Sequence, residues 1–181
     1  NMVDVTQNAD VFVEVSGLLK AAAVNLAKMA ADLRLLSSGP RAGLGEIALP
    51  EQQAGSSIMP GKVNPVITEA VTQVAYQVMG NDLTITLAAQ AGQLELNAFL
   101  PLIAHNLFQQ LDLLNNAVAI LIEKCILGIQ AREQHCRRQV EDSYALVVAA
   151  APYTGYEAAS EVAREAYQTG RSVKQVLLDG G

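Results

Sequence analysis

The chain has no tryptophan, three phenylalanines, two histidines and two cysteines among its 181 residues. Charged residues make up only 17% of it. Each shortage excludes something. The two cysteines, Cys125 and Cys136, lie eleven residues apart with no CxxC. That spacing makes neither a zinc pair nor a disulfide framework and reads as two free thiols in a reducing, cytoplasmic compartment. No run of lysine and arginine occurs, and the formal net charge is −6. A nucleic-acid surface is therefore not expected, since phosphate binding needs clustered cations. The longest stretch without Asp, Glu, Lys or Arg, Leu96 to Leu111, contains Asn97, Pro101, His105, Asn106, Gln109 and Gln110 and is too polar to cross a bilayer. Asn1-Met2-Val3-Asp4 does not read as a signal peptide. With 51% hydrophobic residues the chain is not expected to be disordered.

What is present is helical. Apolar residues recur every three to four positions at Val13, Leu18, Leu19, Ala22, Leu26, Met29 and Leu33, which predicts one helix over residues 3–36 stopped by Ser37-Ser38-Gly39-Pro40. Residues 37–64 form a connection rich in glycine and proline that also carries Arg41, Glu46, Lys62 and Asn64. So long a loop in a compact chain points to function. Asn64 suits an N-cap and Pro65 a first helical position, with the helix running to about Met79, loosening at Gly80-Asn81-Asp82, and continuing from Leu83 to Gln90. A third helix is predicted from Phe99 to Leu127, closed by Gly128. From Gln130 the composition changes. Arg132, Glu133, Arg137, Arg138, Glu141 and Asp142 crowd into eleven positions, and short helices are expected near Tyr156–Thr169 and Ser172–Leu178. The expected fold is all-α: a long-helix bundle over residues 1–129 and a small helical domain over 130–181.

The middle of the chain has no lysine or arginine between Lys62 and Lys124, only Glu69, Asp82, Glu95, Asp112 and Glu123. Ordinary surface helices carry one charge-rich face. These helices call for burial by other subunits or further chain, or else for a solvent face built of Ala, Thr, Gln and Asn.

The loop Gly55-Ser56-Ser57-Ile58-Met59-Pro60-Gly61-Lys62-Val63-Asn64-Pro65 is the candidate site. Backbone N–H groups of a glycine-bearing loop beside a helix N-terminus favour an anion. Ile58 and Met59 read as apolar anchors, Lys62 and Asn64 as carboxylate ligands, and a serine as nucleophile or base. Read from residue types alone, a structural turn with capping serines serves equally well.

The loop resembles the GSSxMPxKxN signature of the aspartase/fumarase superfamily, with every fixed position filled. LRLLSSGPRAGLGEIALP before it, and AGQLELN and Glu-Lys-Cys-Ile-Leu-Gly after it, are similar to the family too, so the likeness spans essentially the whole chain. RAGLGEI, GNDLTIT and AAQAGQLELN resemble the aspartate ammonia-lyase branch. Class II fumarase, or a helical relative without catalysis, is the alternative.

The resemblance implies that Ser56 is the general base, that Lys62 and Asn64 hold a substrate carboxylate, and that Ser57 supports the loop and substrate by hydrogen bonding. It implies that Glu69 pairs with an active-site histidine of another subunit, against the plainer role of a first-turn acid favoured by the helix dipole. Neither His105 nor His135 falls at the family histidine's position. His105 reads as a packed or hydrogen-bonded residue of the third helix, and Arg41 and Glu46 as residues that order the loop. No metal site and no cofactor are expected, and the resemblance implies a small dicarboxylate substrate, a homotetramer, and active sites assembled from three segments on three subunits. Only the third segment is found here, so the 181 residues read as a carboxy-terminal piece with no activity of their own.

Overall fold

A computed structural model describes residues 2–53, 58–59 and 61–180. The described residues are overwhelmingly α-helical. Their only extended elements are two-residue strands, β1 (Ile47–Ala48) and β2 (Gln130–Ala131). The chain divides into two compact units, Asn1–Gln130 and Ala131–Gly181.

The first unit begins with α1 (Met2–Gln7) and α2 (Asp10–Leu36). The single helix predicted over 3–36 is therefore interrupted at Asn8-Ala9. Asn8 donates its side-chain amide to Asp4, and the Asp10 carboxylate accepts the Val11 N–H at 3.0 Å. Short polar side chains thus compete with the helical ladder on both sides of Ala9. Ala9 itself is buried with Ile85, Ala88 and Ile103. α2 stops where expected, and the following Gly39 has φ +145°, a conformation open to glycine.

α3 (Val66–Gln90) is one continuous helix, so the loosening expected at Gly80 does not occur. The Cβ missing at Gly80 would meet open space, and the residues that follow it fasten the helix. Asn81 donates to Gln109 Oε1 at 2.7 Å, and Asp82 accepts from Ser16 and Lys20. α3 starts one residue later than predicted, with Pro65 rather than Asn64 at the N-cap, and no side chain caps it. Asn64 instead uses its backbone carbonyl to accept the Val66 N–H at 2.9 Å. The turn after α3 is tied by Asn97, buried at 2% exposure, whose amide donates to the carbonyls of Ala88 and Ala89 at 3.1 Å each. α4 runs from Leu100 to Lys124. It ends three residues short of prediction because the chain tightens into a 3-10 turn, Ile126–Gly128.

α2, α3 and α4 pack in successive layers. Ala9, Ile85, Ala88 and Ile103 form one; Ala23, Ala75, Val78 and Leu114 another; Ala30, Val71, Ala117, Leu121 and Cys125 a third. Positions rising along α2 and α4 meet positions falling along α3, so α3 is antiparallel to both. Small residues on α2 let the backbones approach closely, and burial of the Val, Ile and Leu partners drives the association at ~1.5–3 kcal/mol for each fully buried side chain.

The second unit contains α5 (Glu133–Asp142), α6 (Ala145–Thr154), α7 (Tyr156–Thr169) and α8 (Val173–Asp179). The sequence reading singled out the last two. α7 ends at Gly170 in the left-handed conformation, and α8 opens with a capping box in which Ser172 accepts the Gln175 N–H at 3.1 Å. Val147, Ala159, Ala166, Val173 and Val176 are its buried cluster.

Candidate active site

The connection between α2 and α3 is held at its upstream end by local bonds. Glu46 donates its N–H to the Leu36 carbonyl at 2.9 Å, and the Ser38 hydroxyl accepts the Leu44 N–H at 3.0 Å. Arg41 is exposed and Glu46 half-buried. At the downstream end the Lys62 N–H donates to the Met59 carbonyl at 3.1 Å, closing a turn in which Gly61 has φ +79°. A side chain at position 61 would be strained there, which explains the glycine.

Of the predicted site residues, the structure describes Lys62, Asn64 and Glu69. Ser56 and Ser57 lie outside the described residues. Lys62 is exposed, and no described residue pairs with its ammonium group. Asn64 is half-buried just before α3. Glu69 lies in the first turn of α3, its N–H donating to the Pro65 carbonyl at 3.2 Å. Its half-buried carboxylate has no partner among the described residues. Beside it Thr68 is buried and donates its hydroxyl to Pro65 at 2.7 Å. Lys62, Asn64 and Glu69 therefore share one short segment at the N-terminal end of α3. There the unpaired backbone N–H groups of the helix favour a negative charge. A carboxylate ligand fits that field, and a lysine ammonium with no partner among the described residues is able to meet it.

Two expectations need correction. Ile58 is 88% exposed and Met59 51%, so they do not anchor the loop in apolar surroundings of this chain. His105 is exposed on the outer side of α4, not packed in the bundle. The buried positions of α4 nearest to it are Ile103, Asn106 and Gln110, which leaves His105 off the packed stripe.

One feature behind the loop carries no sequence signal. A small depression brings Pro50 and Pro65 together with Lys124 and Cys125. Cys125 is 2% exposed, and burial pushes its thiol pKa up. A buried, neutral thiol is a packing group and a poor nucleophile. Among the described residues no cluster of three or more His, Cys, Asp or Glu is placed to hold a metal ion. No described helix is long and apolar enough to cross a membrane.

Known proteins resemble this chain along its whole length. Residues 1–80 match the family described as Lyase, and residues 146–181 the family described as Fumarase C C-terminus. The aspartate ammonia-lyase of Bacillus subtilis is 51% identical over 178 residues, covering 98% of this chain and 38% of that protein. That of Pseudomonas fluorescens is 54% identical over 181 residues, covering 100% and 38%. The solved native structure of fumarate lyase:delta crystallin from Brucella melitensis superposes with a TM-score of 0.93 at 53% identity, over 98% of this chain and 41% of that one. Recombinant class II fumarase from Schistosoma mansoni gives 0.87 at 35%, over 99% and 37%. The chain thus spans about two fifths of the length of its curated relatives. With the signature loop, the layered antiparallel helices and these likenesses together, the chain belongs to the aspartase/fumarase superfamily.

Proposed function

We propose that this chain supplies the serine-bearing loop of an aspartate ammonia-lyase, which converts L-aspartate reversibly to fumarate and ammonia. The observation that carries the reading is the difference in identity. The two aspartate ammonia-lyases stand at 51% and 54%, the class II fumarase at 35%, over nearly the same residues.

In this reading Ser56 takes the proton from the carbon next to one substrate carboxylate. The electron pair of the broken C–H bond moves into that carboxyl group and gives an aci-carboxylate with two negative charges. It then returns to form the C=C bond as the C–N bond breaks and ammonia leaves. A serine hydroxyl is a weak base, so the alkoxide must be stabilised. Backbone N–H groups of the Gly55–Met59 loop and the charge of Lys62 are the candidate stabilisers, each donor contributing roughly 3 kcal/mol. Lys62 and Asn64 hold the carboxylate, the first by charge and the second by directed N–H donors. Ser57 orders the loop by hydrogen bonding. Glu69 orients a histidine contributed by another subunit.

The remaining groups come from segments outside these 181 residues and from neighbouring subunits, so the working form is a cytoplasmic homotetramer. The 181-residue chain alone converts no aspartate. The test follows fumarate absorbance in the protein that also carries the other two conserved segments, with aspartate or malate as substrate. Turnover of aspartate but not malate is expected. Turnover of malate alone would replace the reading with fumarase. In the same protein Ser56→Ala abolishes turnover and leaves substrate binding largely intact; a rate like that of the unmodified enzyme would remove Ser56 from the role of base.

A further inference from the structure

The buried stripes of the three long helices follow a seven-residue repeat. On the α2 side it reads Ala9, Ser16, Ala23, Ala30 at intervals of seven. On α3 it reads Val71, Val78, Ile85 and Ala75, Asp82, and on α4 Ile103, Gln110, Ala117 and Leu114, Leu121. Such a repeat keeps one seam facing its partners along the full length of the bundle. It also makes the packing nearly degenerate. A slip of one repeat, ~10.5 Å, sets an alanine of α2 where another alanine had been. Apolar layers of small and branched side chains resist such a slip weakly.

One layer breaks the degeneracy. Ser16 of α2 donates to Asp82 Oδ1 of α3 at 2.8 Å, and Lys20 of α2 to Asp82 Oδ2 at 2.6 Å. Gln110 of α4 donates to the Ser16 hydroxyl at 3.1 Å and to the Val78 carbonyl at 3.0 Å. Ser16 and Gln110 are fully buried and Asp82 is 5% exposed. At the edge of the same layer Asn81 of α3 donates to Gln109 of α4. Among the described residues, every side-chain hydrogen bond that crosses from one of these three helices to another lies in this layer. Gln110 Oε1 is buried without a partner, so the layer is not optimised for stability.

We propose that the Ser16–Asp82–Gln110 layer fixes the axial register of α2, α3 and α4, and so positions the Asn64–Glu69 end of α3. A slip of one repeat would set Asp82 against Ala9 or Ala23, which have no donor, and would leave a buried carboxylate unpaired. A single polar layer in an apolar seam is the best-attested way to select one register. Asp82 lies thirteen residues along α3 from Glu69, ~20 Å at the helical rise. These are positioning residues, and the inference does not depend on the reaction proposed above.

The test is structural and needs no turnover. Isoleucine methyl groups of the intact chain are labelled and read by NMR, with Ile85 and Ile103 as buried reporters on α3 and α4. The triple variant Ser16→Ala, Asp82→Leu, Gln110→Leu is compared with Leu114→Ala, a cavity in an apolar layer. The expected result is preserved helical circular dichroism in both. The Ile85 and Ile103 signals split into two or more in the triple variant only. A single set in the triple variant overturns the proposal, and so does splitting in both variants, which would mean general loosening. Should the triple variant lose its helicity, Gln110→Met alone is read by the same criterion: split reporters support the register role, and a single set refutes it.

Discussion

Gly128 closes the 3-10 turn after α4, and a Cβ there would stand 2.4 Å from Pro50 Cγ, 3.3 Å from its Cβ and 3.6 Å from its Cδ. Pro50 follows β1 and leads directly into the signature loop, so this contact joins the end of the bundle to the connection that carries the chemistry. A proline ring cannot rotate out of the way, so in Gly128→Ala either the turn or the Leu49-Pro50 backbone must shift. Overpacking of this kind costs ~1–3 kcal/mol. At roughly 2 kcal/mol, a chain of this size should lose about 4–8 °C in Tm. Thermal unfolding is compared at one fixed protein concentration for the unmodified chain, Gly128→Ala, Pro50→Ala and the double variant. Pro50→Ala deletes the two ring atoms and by itself costs ~0.4–1 kcal/mol in lost chain restriction. The double variant should recover part of the Gly128→Ala loss, with a coupling of ~1–2 kcal/mol. Refutation takes either of two forms: Gly128→Ala melting with the unmodified chain, or additive losses, which would place the strain somewhere other than Pro50.

Three further outcomes follow from two features. Cys125, with its thiol pKa raised by burial, should resist a thiol reagent until the chain unfolds, while the less buried Cys136 reacts first; mass mapping of the labelled peptides decides it. Because the folded pKa lies above the unfolded one, the stability that Cys125 contributes is full below ~8.5, the ordinary thiol value, and is lost as pH rises toward the folded value; unfolding midpoints that stay level in Cys125→Ala and fall in the unmodified chain above that pH would show it. Ser172→Ala removes the acceptor of the Gln175 N–H and should cost α8 ~1 kcal/mol, seen as roughly five-fold faster hydrogen exchange at that amide; unchanged exchange would mean the capping box is not what holds α8.

The long helices were legible because their signals are local. Three-to-four apolar spacing, the Gly39-Pro40 stop, Pro101 in the first turn of α4, Gly170 and Ser172 all act within a few residues of where they sit. What the sequence concealed is long-range. Gly80 looked like a weak point because its own propensity is poor, but Asn81 and Asp82 are held from α2 and α4, and partners 28 and 62 residues away do not show in a window of fifteen. Asn8 and Asp10 were swallowed by a strong apolar period on either side. α5 escaped a definite reading because it is almost wholly polar, and α6 because it is almost wholly apolar and shows no face. At the site, residue types alone offered Lys62 and Asn64 as carboxylate ligands, and it was the family resemblance that gave them, and Glu69, definite roles. Spacing alone left a capped turn as good a reading.

The shortage of charge in the bundle has two sources in the structure. Part of the solvent face is built of small and uncharged polar residues, Gln73, Gln77, Thr86 and Gln90 on α3 and Ala104, Asn115, Asn116 and Ala119 on α4, and the rest is apolar. α2 exposes Val11, Val15, Leu18 and Met29, α3 exposes Tyr76, Leu83 and Leu87, and α4 exposes Phe108, Leu111, Val118 and Ile122. On α3 and α4 these positions fall on three-, four- and seven-residue steps, so each of these two helices carries a second apolar stripe besides the one already buried. Full burial of such a side chain is worth ~1.5–3 kcal/mol. Leu83, Leu87, Phe108, Leu111, Val118 and Ile122 are each roughly half exposed, so covering all six yields about 5–9 kcal/mol per chain by the same measure. Two chains meeting face to face gain about twice that, against an association cost of ~4–15 kcal/mol. The α3 and α4 stripes alone therefore support a marginal dimer, and further apolar surface, such as the exposed apolar side chains of α2, is needed for a tight assembly. Mass action then makes stability depend on concentration. The Tm of this chain should climb steadily over a hundred-fold rise in protein concentration, and Leu83→Glu with Phe108→Glu should flatten that climb while the helical signal at low concentration is kept. A Tm indifferent to concentration in the unmodified chain would show that these stripes are tolerated in water, and the argument for association would fall with it.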